Sequence, residues 1–304
     1  MNEAEKLLKY FDRAGRMDER LQRRYEKELI SLLSASLKEV KAQIALVFEK
    51  YGDSVSYAEM QAYNRLKNLE QSIGEELAKM GKKANGALKE AIKAQFIQAH
   101  DFVGYAFENS VQVGIGFSVL KKTQIDAALL NPLDRIGWPV RFSDHINVLN
   151  KRIRQRIAQG LIQGKGYTAI ARETSLGFSK TATQTKRIIR TEMHRVQTAG
   201  RLEGISKAEK AAERLKIEVY RQLVAVRDDR TRDQSLQVDG NRARKSDGLF
   251  KYPDGNYYDG PGMTGVAEWD INDREQVVMG IEEIPRKLRR EEVEADFEEW
   301  QNRL

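Results

Sequence analysis

The chain has 304 residues, 40% apolar and 32% charged, with a formal net charge of +7; that length allows two or three domains. It has no cysteine and three histidines, His100, His145 and His194, which excludes disulfides and thiolate sites and argues against a histidine-rich metal site. No run of about 18 apolar residues exists, so no membrane-spanning helix is expected, and the acidic, signal-free start "MNEAEKLLKYFDRAGRMDER" points to a cytoplasmic origin.

All five prolines follow residue 131, so the first 131 residues are free of the strongest helix breaker. Apolar residues recur there every three or four positions: Leu21, Tyr25, Leu29, Leu32 and on to Val47, then Leu66, Leu69, Ile73, Leu77 and on to Phe96. This predicts two long amphipathic helices joined by "YGDSVS", with Ser54 or Ser56 as N-cap of the second. Such helices bundle or reach toward a partner. The stretch "GYAFENSVQVGIGFSVLKK" predicts a helix end and a short strand; its G-x-G lacks the rest of a nucleotide fingerprint and reads as a turn. "LLNPLDRIGWPVRFSD" reads as a linker.

A helix is predicted from the Ile146, Leu149, Ile153, Ile157, Leu161 stripe to the stop at Gly164 and Gly166. "YTAIARETSLGFSKTATQTKRIIRTEMHRV" invites a helix-turn-helix reading, but four residues separate "IA" from "LG" where the common motif has two. Two packed helices with a basic outer face, broken at "SLGFS", are expected instead. Ser206 and Glu209 match a capping box and predict a further helix start. From Lys151 to Lys216 there are sixteen Lys/Arg against five Asp/Glu. That balance suits either a nearby polyanion, such as double-stranded DNA, or a solvated helical face. Arg152, Arg154, Arg156, Lys186 and Arg187 are the DNA-contact candidates.

"IEVYRQLVAV", Ile217 to Val226, predicts a strand. Turn-rich sequence follows, then "EQVVMGI" as a possible last strand. A charged helix is expected after Pro285, with Val293, Phe297, Trp300 and Leu304 as its apolar edge. The fold class is therefore α+β and mostly helical. A long N-terminal helical hairpin or bundle precedes a helical C-terminal domain containing a small β element.

Directly after the Ile217–Val226 run lies a dense polar knot, "DDRTRDQSLQVDG", from Asp228 to Gly240. A catalytic loop, a metal site and a buried clasp are all open to these residue types. As a clasp, Asp228 would accept backbone N–H groups, Arg230 and Arg232 would pair with acids such as Glu192 or Asp239, and Thr231 would bond backbone. Asp239-Gly240 is a turn signal. As a metal-dependent nuclease, Asp228, Asp229, Asp239, Asp273 and Glu275 would have to converge.

The order "RTEMHRVQTAGRLEG" (with Arg190, Thr191 and Glu192), strand, "DDRTRDQSLQVDG", glycine-bearing loop, "WDINDREQVV" resembles the phage head morphogenesis family, the Mu F-like minor head proteins. The resemblance runs over roughly residues 143–278. Family members carry a histidine in the knot and two cysteines after Ile-Asn, a possible zinc set. Ser235, Asp273 and Glu275 stand here instead, and these oxygen ligands would suit a hard ion at most; no metal or cofactor is expected.

The domains expected are 1–131, a linker at 132–142, the Mu F-like part at 143–280 that the resemblance implies, and the charged tail at 281–304. The resemblance also implies a non-enzymatic minor capsid protein, made in the host cytoplasm and retained inside the phage head. Its partners would be the portal protein and the major capsid or scaffold protein, with double-stranded DNA at packaging or ejection, and no membrane. A DNA-binding protein without an assembly role and a metal-dependent nuclease are the alternatives.

Overall fold

The computed structural model describes all residues except 1, 131–136, 228, 230, 271–274, 289, 292, 294 and 295. Its elements in chain order are α1 (Glu3–Tyr51), α2 (Tyr57–Gln61), α3 (Arg65–Val111), α4 (Lys122–Leu130), α5 (Trp138–Ile162) and α6 (Tyr167–Leu215). There follow β1 (Glu218–Ala225), α7 (Asp233–Val238), β2 (Phe250–Lys251), β3 (Tyr257–Tyr258), α8 (Ala267–Asp270), β4 (Glu275–Glu283) and α9 (Phe297–Asn302). The chain packs as two compact units. The first comprises Met1–Arg23, Ala91–Arg135 and Arg190–Leu304; the second comprises Arg24–Glu90 and Ile136–Ile189. Among the described residues no helix is long and apolar enough to cross a membrane.

The second unit is wholly helical. Its core takes the expected stripes: Leu29, Leu33, Val40 and Ile44 from α1, Ile73, Leu77 and Met80 from α3, Phe142, Ile146, Leu149 and Ile153 from α5. Ser56 caps α2 in a full capping box with Glu59, whose carboxylate is held below the usual range by the Ser56 N–H and hydroxyl. Helix α5 begins at Trp138 with Pro139 in its first turn, so the latter part of the proline-punctuated stretch is helical. A proline there gives up no intrahelical hydrogen bond.

Helix α6 corrects two expectations. It runs unbroken through "SLGFS", because Gly177 lies against Leu149 Cδ1 (3.4 Å from an added Cβ) and packing outweighs the cost of a helical glycine. The hydroxyls of Thr174, Ser175 and Thr181 donate to carbonyls four residues back, so these polar residues do not stop the helix. Nor does a helix start at Ser206. Glu209 turns instead to Arg221 on β1 in a bidentate pair at 2.7 and 2.6 Å.

The first unit joins helix ends to the β elements. β1 pairs antiparallel with β4, with Leu223 opposite Val277 and Tyr220 opposite Gly280. Tyr220 lies across Gly280, where a Cβ would meet its ring at 2.2 Å. Two glycines bring α6 onto α3: an added Cβ would lie 2.4 Å from the Phe96 carbonyl oxygen at Gly200, and 2.6 Å from that of His100 at Gly204.

The short strand expected directly after α3 does not form over residues 112–121. Val113, Ile115 and Phe117 are buried in alternation as a strand would be, yet side chains replace the ladder. Glu291 and Glu108 accept from Gly114 and Ile115 N–H, and Lys207 and Arg214 donate to the Ser118 and Ile115 carbonyls. In the tail, α9 begins only at Phe297, capped by Asp296. Phe297 and Trp300 enter an aromatic cluster with Phe102 and Tyr105, and Trp300 Nε1 donates to Glu108 at 2.6 Å.

Candidate functional site

Glu192 of the arginine-Thr-Glu stretch faces the interior of the first unit, where Arg195, Gln197, Thr198 and Arg201 of α6 are also buried. Burying charge costs heavily unless each group is paired, and the pairing here is dense. Arg195 Nε donates to Glu192 at 3.0 Å and its Nη2 to the Ala128 carbonyl at 3.0 Å. Arg201, 1% exposed, donates to Asp18 at 2.8 Å and to Gln276 on β4 at 2.7 Å. Asp18 also accepts from Gln95 (2.6 Å) and Gln98 (2.8 Å) of α3 and from Gln197 (2.8 Å). One carboxylate thus ties the start of α1 to α3 and α6, and Arg201 carries the link on to β4.

Beside this seam, part-buried His194 donates from Nε2 to the Glu275 carbonyl at 2.9 Å, with Gly262 against its ring. Burial pushes its imidazolium pKa down, so the neutral form is favoured. Asp270 accepts from the backbone of Thr264 and Gly265 and from the Thr264 hydroxyl; burial nonetheless raises its pKa. Desolvation, reinforced by Glu275 and Asp270, likewise raises the pKa of the Tyr252 hydroxyl.

The polar knot runs from the end of β1 through α7. Asp239 accepts from the Ala225 N–H at 2.9 Å and pairs with Arg227 at 2.6 Å, a partner the sequence reading did not name. Thr231 donates to the Val226 carbonyl. Arg232 donates to the carbonyls of Glu268 (2.8 Å) and Trp269 (3.3 Å), fastening the knot to α8. Gly240 has φ +85° and donates to the Leu223 carbonyl at 2.8 Å. Asp228, Arg230 and Asp273 lie outside the described residues. Arg190 sits exposed on α6, with Thr191 half-buried beside it.

Of the oxygen-ligand trio, Ser235 is fully buried on α7 and its hydroxyl has no partner among the described residues, while Glu275 is buried at the start of β4. A hydroxyl and a carboxylate do not make a zinc donor set. Among the described residues no group of three His, Asp or Glu side chains could hold a metal ion.

The DNA-contact candidates fall in the second unit and differ in kind. Arg152, Lys186 and Arg187 are exposed. Arg154 is half-buried and bonds Asn150 and the Glu70 carbonyl, at 3.1 and 3.2 Å. Arg156 pairs with Glu173 at 3.2 Å.

The family described as Phage Mu protein F like protein matches residues 151–258. The chain is 31% identical over 264 residues to the minor head protein GP7 of Bacillus phage SPP1, a match covering 86% of this chain and 83% of that one. It is 24% identical over 277 residues to an NAD(+)--arginine ADP-ribosyltransferase, EFV, of Enterococcus faecalis. That match covers 91% of this chain but 55% of the transferase. No solved structure gives a significant match. The chain belongs to the Mu F-like minor head proteins of phages. It is accordingly a virion component with a role in head morphogenesis.

Proposed function

We propose that the chain enters the prohead by binding the portal protein and the major capsid or scaffold protein, and then stays inside the head without performing covalent chemistry. The observation that carries this reading is the burial of the charges on the inner face of α6 and of their partner Asp18. Glu192, Arg195, Arg201 and Asp18 are each buried and bonded to one another or to neighbouring amides and carbonyls. Such groups hold a fold together and present nothing to a substrate. What remains for function is the outer surface, the part of a head protein that meets its partners. The test is composition: proheads assembled with and without the tagged chain, purified and analysed by mass spectrometry. The chain should be retained at low copy number in heads that contain portal. Its absence from every purified prohead would refute the reading.

A second reading, contact with packaged DNA, is supported by exposed Lys186 and Arg187, which have no ion-pair partner among the described residues. Phosphate contacts of this kind weaken with salt. Reversing both charges in the full chain should lower its affinity for duplex DNA and flatten the salt dependence. Unchanged binding would remove this reading.

A further inference from the structure

We propose that the groove between α5 and α6 in the second unit binds an acidic amphipathic helix presented by another head protein. The proposal rests on the assembly reading above and gives it a location and a partner chemistry. The groove encloses about 700 Å³, with Arg152 and Arg156 on the α5 wall, Arg172, Leu176 and Lys180 on the α6 wall, and Ile153 at its floor.

Its charge is unbalanced in one direction. The carboxylate in the lining, Glu173, is already engaged by Lys165 at 2.8 Å and Arg156 at 3.2 Å, and that pairing holds its pKa below the usual range. Arg152, Arg172 and Lys180 have no ion-pair partner among the described residues. A site with three uncommitted cations attracts anionic groups.

The spacing narrows the class of ligand. Arg172, Leu176 and Lys180 stand at i, i+4 and i+8 on α6, so they form one row on its surface. The two cations are about 12 Å apart along the axis, with Leu176 midway. Leu176 is 59% exposed, a large apolar side chain set between two charges. A helix carrying acid, apolar residue and acid at the same spacing would pair both cations and cover Leu176, as helix-in-groove partners do. Duplex DNA would satisfy the cations, but phosphate gains nothing from Leu176.

The test uses the full chain and a labelled synthetic peptide of about 15 residues, long enough to form a helix. The peptide carries Glu at i and i+8 and Leu at i+4. A second peptide replaces Leu with Ser, and a short duplex DNA is the third probe. Binding is read by fluorescence anisotropy, and folding of each variant by circular dichroism. The Glu–Leu peptide should bind saturably. Leu176→Asp, Arg172→Glu with Lys180→Glu, and the Ser peptide should each weaken binding by about tenfold or more. Since Arg172, Leu176 and Lys180 are exposed, these variants should keep the wild-type fold.

Failure of the Glu–Leu peptide to bind folded protein would overturn the proposal, as would binding indifferent to Leu176→Asp. DNA binding lost in the charge-reversal variant but kept in Leu176→Asp would hand the groove to nucleic acid. Self-association lost in the same variants would hand it to a second copy of the chain. Retention in proheads together with any of these results removes the groove proposal alone. Absence from proheads removes the assembly reading on which it rests.

Discussion

Arg201 and Asp18, 183 positions apart in sequence, meet at 2.8 Å in the interior of the first unit. Neither side chain reaches solvent to any extent, with 1% and 6% exposure. Burial lowers the pKa of the guanidinium and Asp18 works against that shift. Removing the carboxylate leaves a buried cation without its counter-charge and three glutamine amides without their acceptor. Asp18→Ala should therefore cost about 3–5 kcal/mol in urea unfolding. Asp18→Ala combined with Arg201→Met should recover part of that loss, since it removes both charges. A loss below about 1 kcal/mol in the single variant would contradict a buried seam.

Gly200 and Gly204 are where the backbone of α6 reaches α3. The obstacle to a Cβ at each is a carbonyl oxygen, which cannot swing aside as a side chain would. Gly200→Ala and Gly204→Ala should each destabilise by about 1–3 kcal/mol through forced separation of the helices. Gly86, exposed inside α3 with nothing within 4 Å, is the matched control. Gly86→Ala should stabilise by about 0.5–1 kcal/mol. Thermal melts of the three variants would show opposite signs if the close approach is real.

The tail is held by its aromatic residues. Trp300 is 2% exposed and its indole N–H bonds Glu108. Trp300→Ala should cost about 3–5 kcal/mol, from lost burial and a Glu108 carboxylate oxygen that loses its donor. Trp300→Phe keeps most of the apolar contact and should cost less. Equal losses for the two would mean that the hydrogen bond outweighs the packing.

Acid should weaken the fold in a defined window. Burial lowers the pKa of both His145 and His194 from the usual 6.5. The unfolded chain therefore binds these protons first as pH falls. Their contribution is fully present above about pH 6.5 and is lost as pH drops from there through the lowered folded-state pKa values. Chemical denaturation between pH 7.5 and 5 should show stability falling with pH, and His194→Gln should flatten that slope. A slope unchanged by replacing both histidines would place the proton uptake elsewhere.

Much of this architecture is legible in the sequence because it rests on periodicity. The stripes that build α1, α3 and α5 are visible as apolar residues three or four apart, and Ile217–Val226 and "EQVVMGI" foretell the β1–β4 pair. Local punctuation misled where packing decided otherwise: Gly177 does not break α6, and Ser206 with Glu209 does not begin a helix. Where the sequence predicts a short strand after α3, Val113, Ile115 and Phe117 form a half-buried extended segment. A strand additionally needs a backbone ladder, and here one backbone bond, from the Glu291 N–H to the Gln112 carbonyl, is joined by four side chains.

The polar seam was half visible. The arginine-Thr-Glu signature pointed to α6, but Asp18, Gln95, Arg195, Arg201 and Gln276 were missed. A signal existed for Asp18: it continues the buried series Leu7, Phe11, Ala14 at helical spacing, a charge on an apolar stripe. Its partner could not be inferred, since the two units are each assembled from segments distant in sequence. The knot lies at the strand end as expected, and Thr231 bonds the backbone as its residue type suggests. Asp239 takes Arg227, Arg232 donates to two backbone carbonyls, and Arg230 lies outside the described residues.

The measurement that tests the central claim most directly is co-purification of the tagged chain with the portal and major capsid proteins of the same phage, at low and high salt. The account expects a portal complex that survives high salt, because an assembly contact buries apolar surface as well as charge. Recovery of DNA alone, stripped by salt, with neither head protein retained, would contradict it.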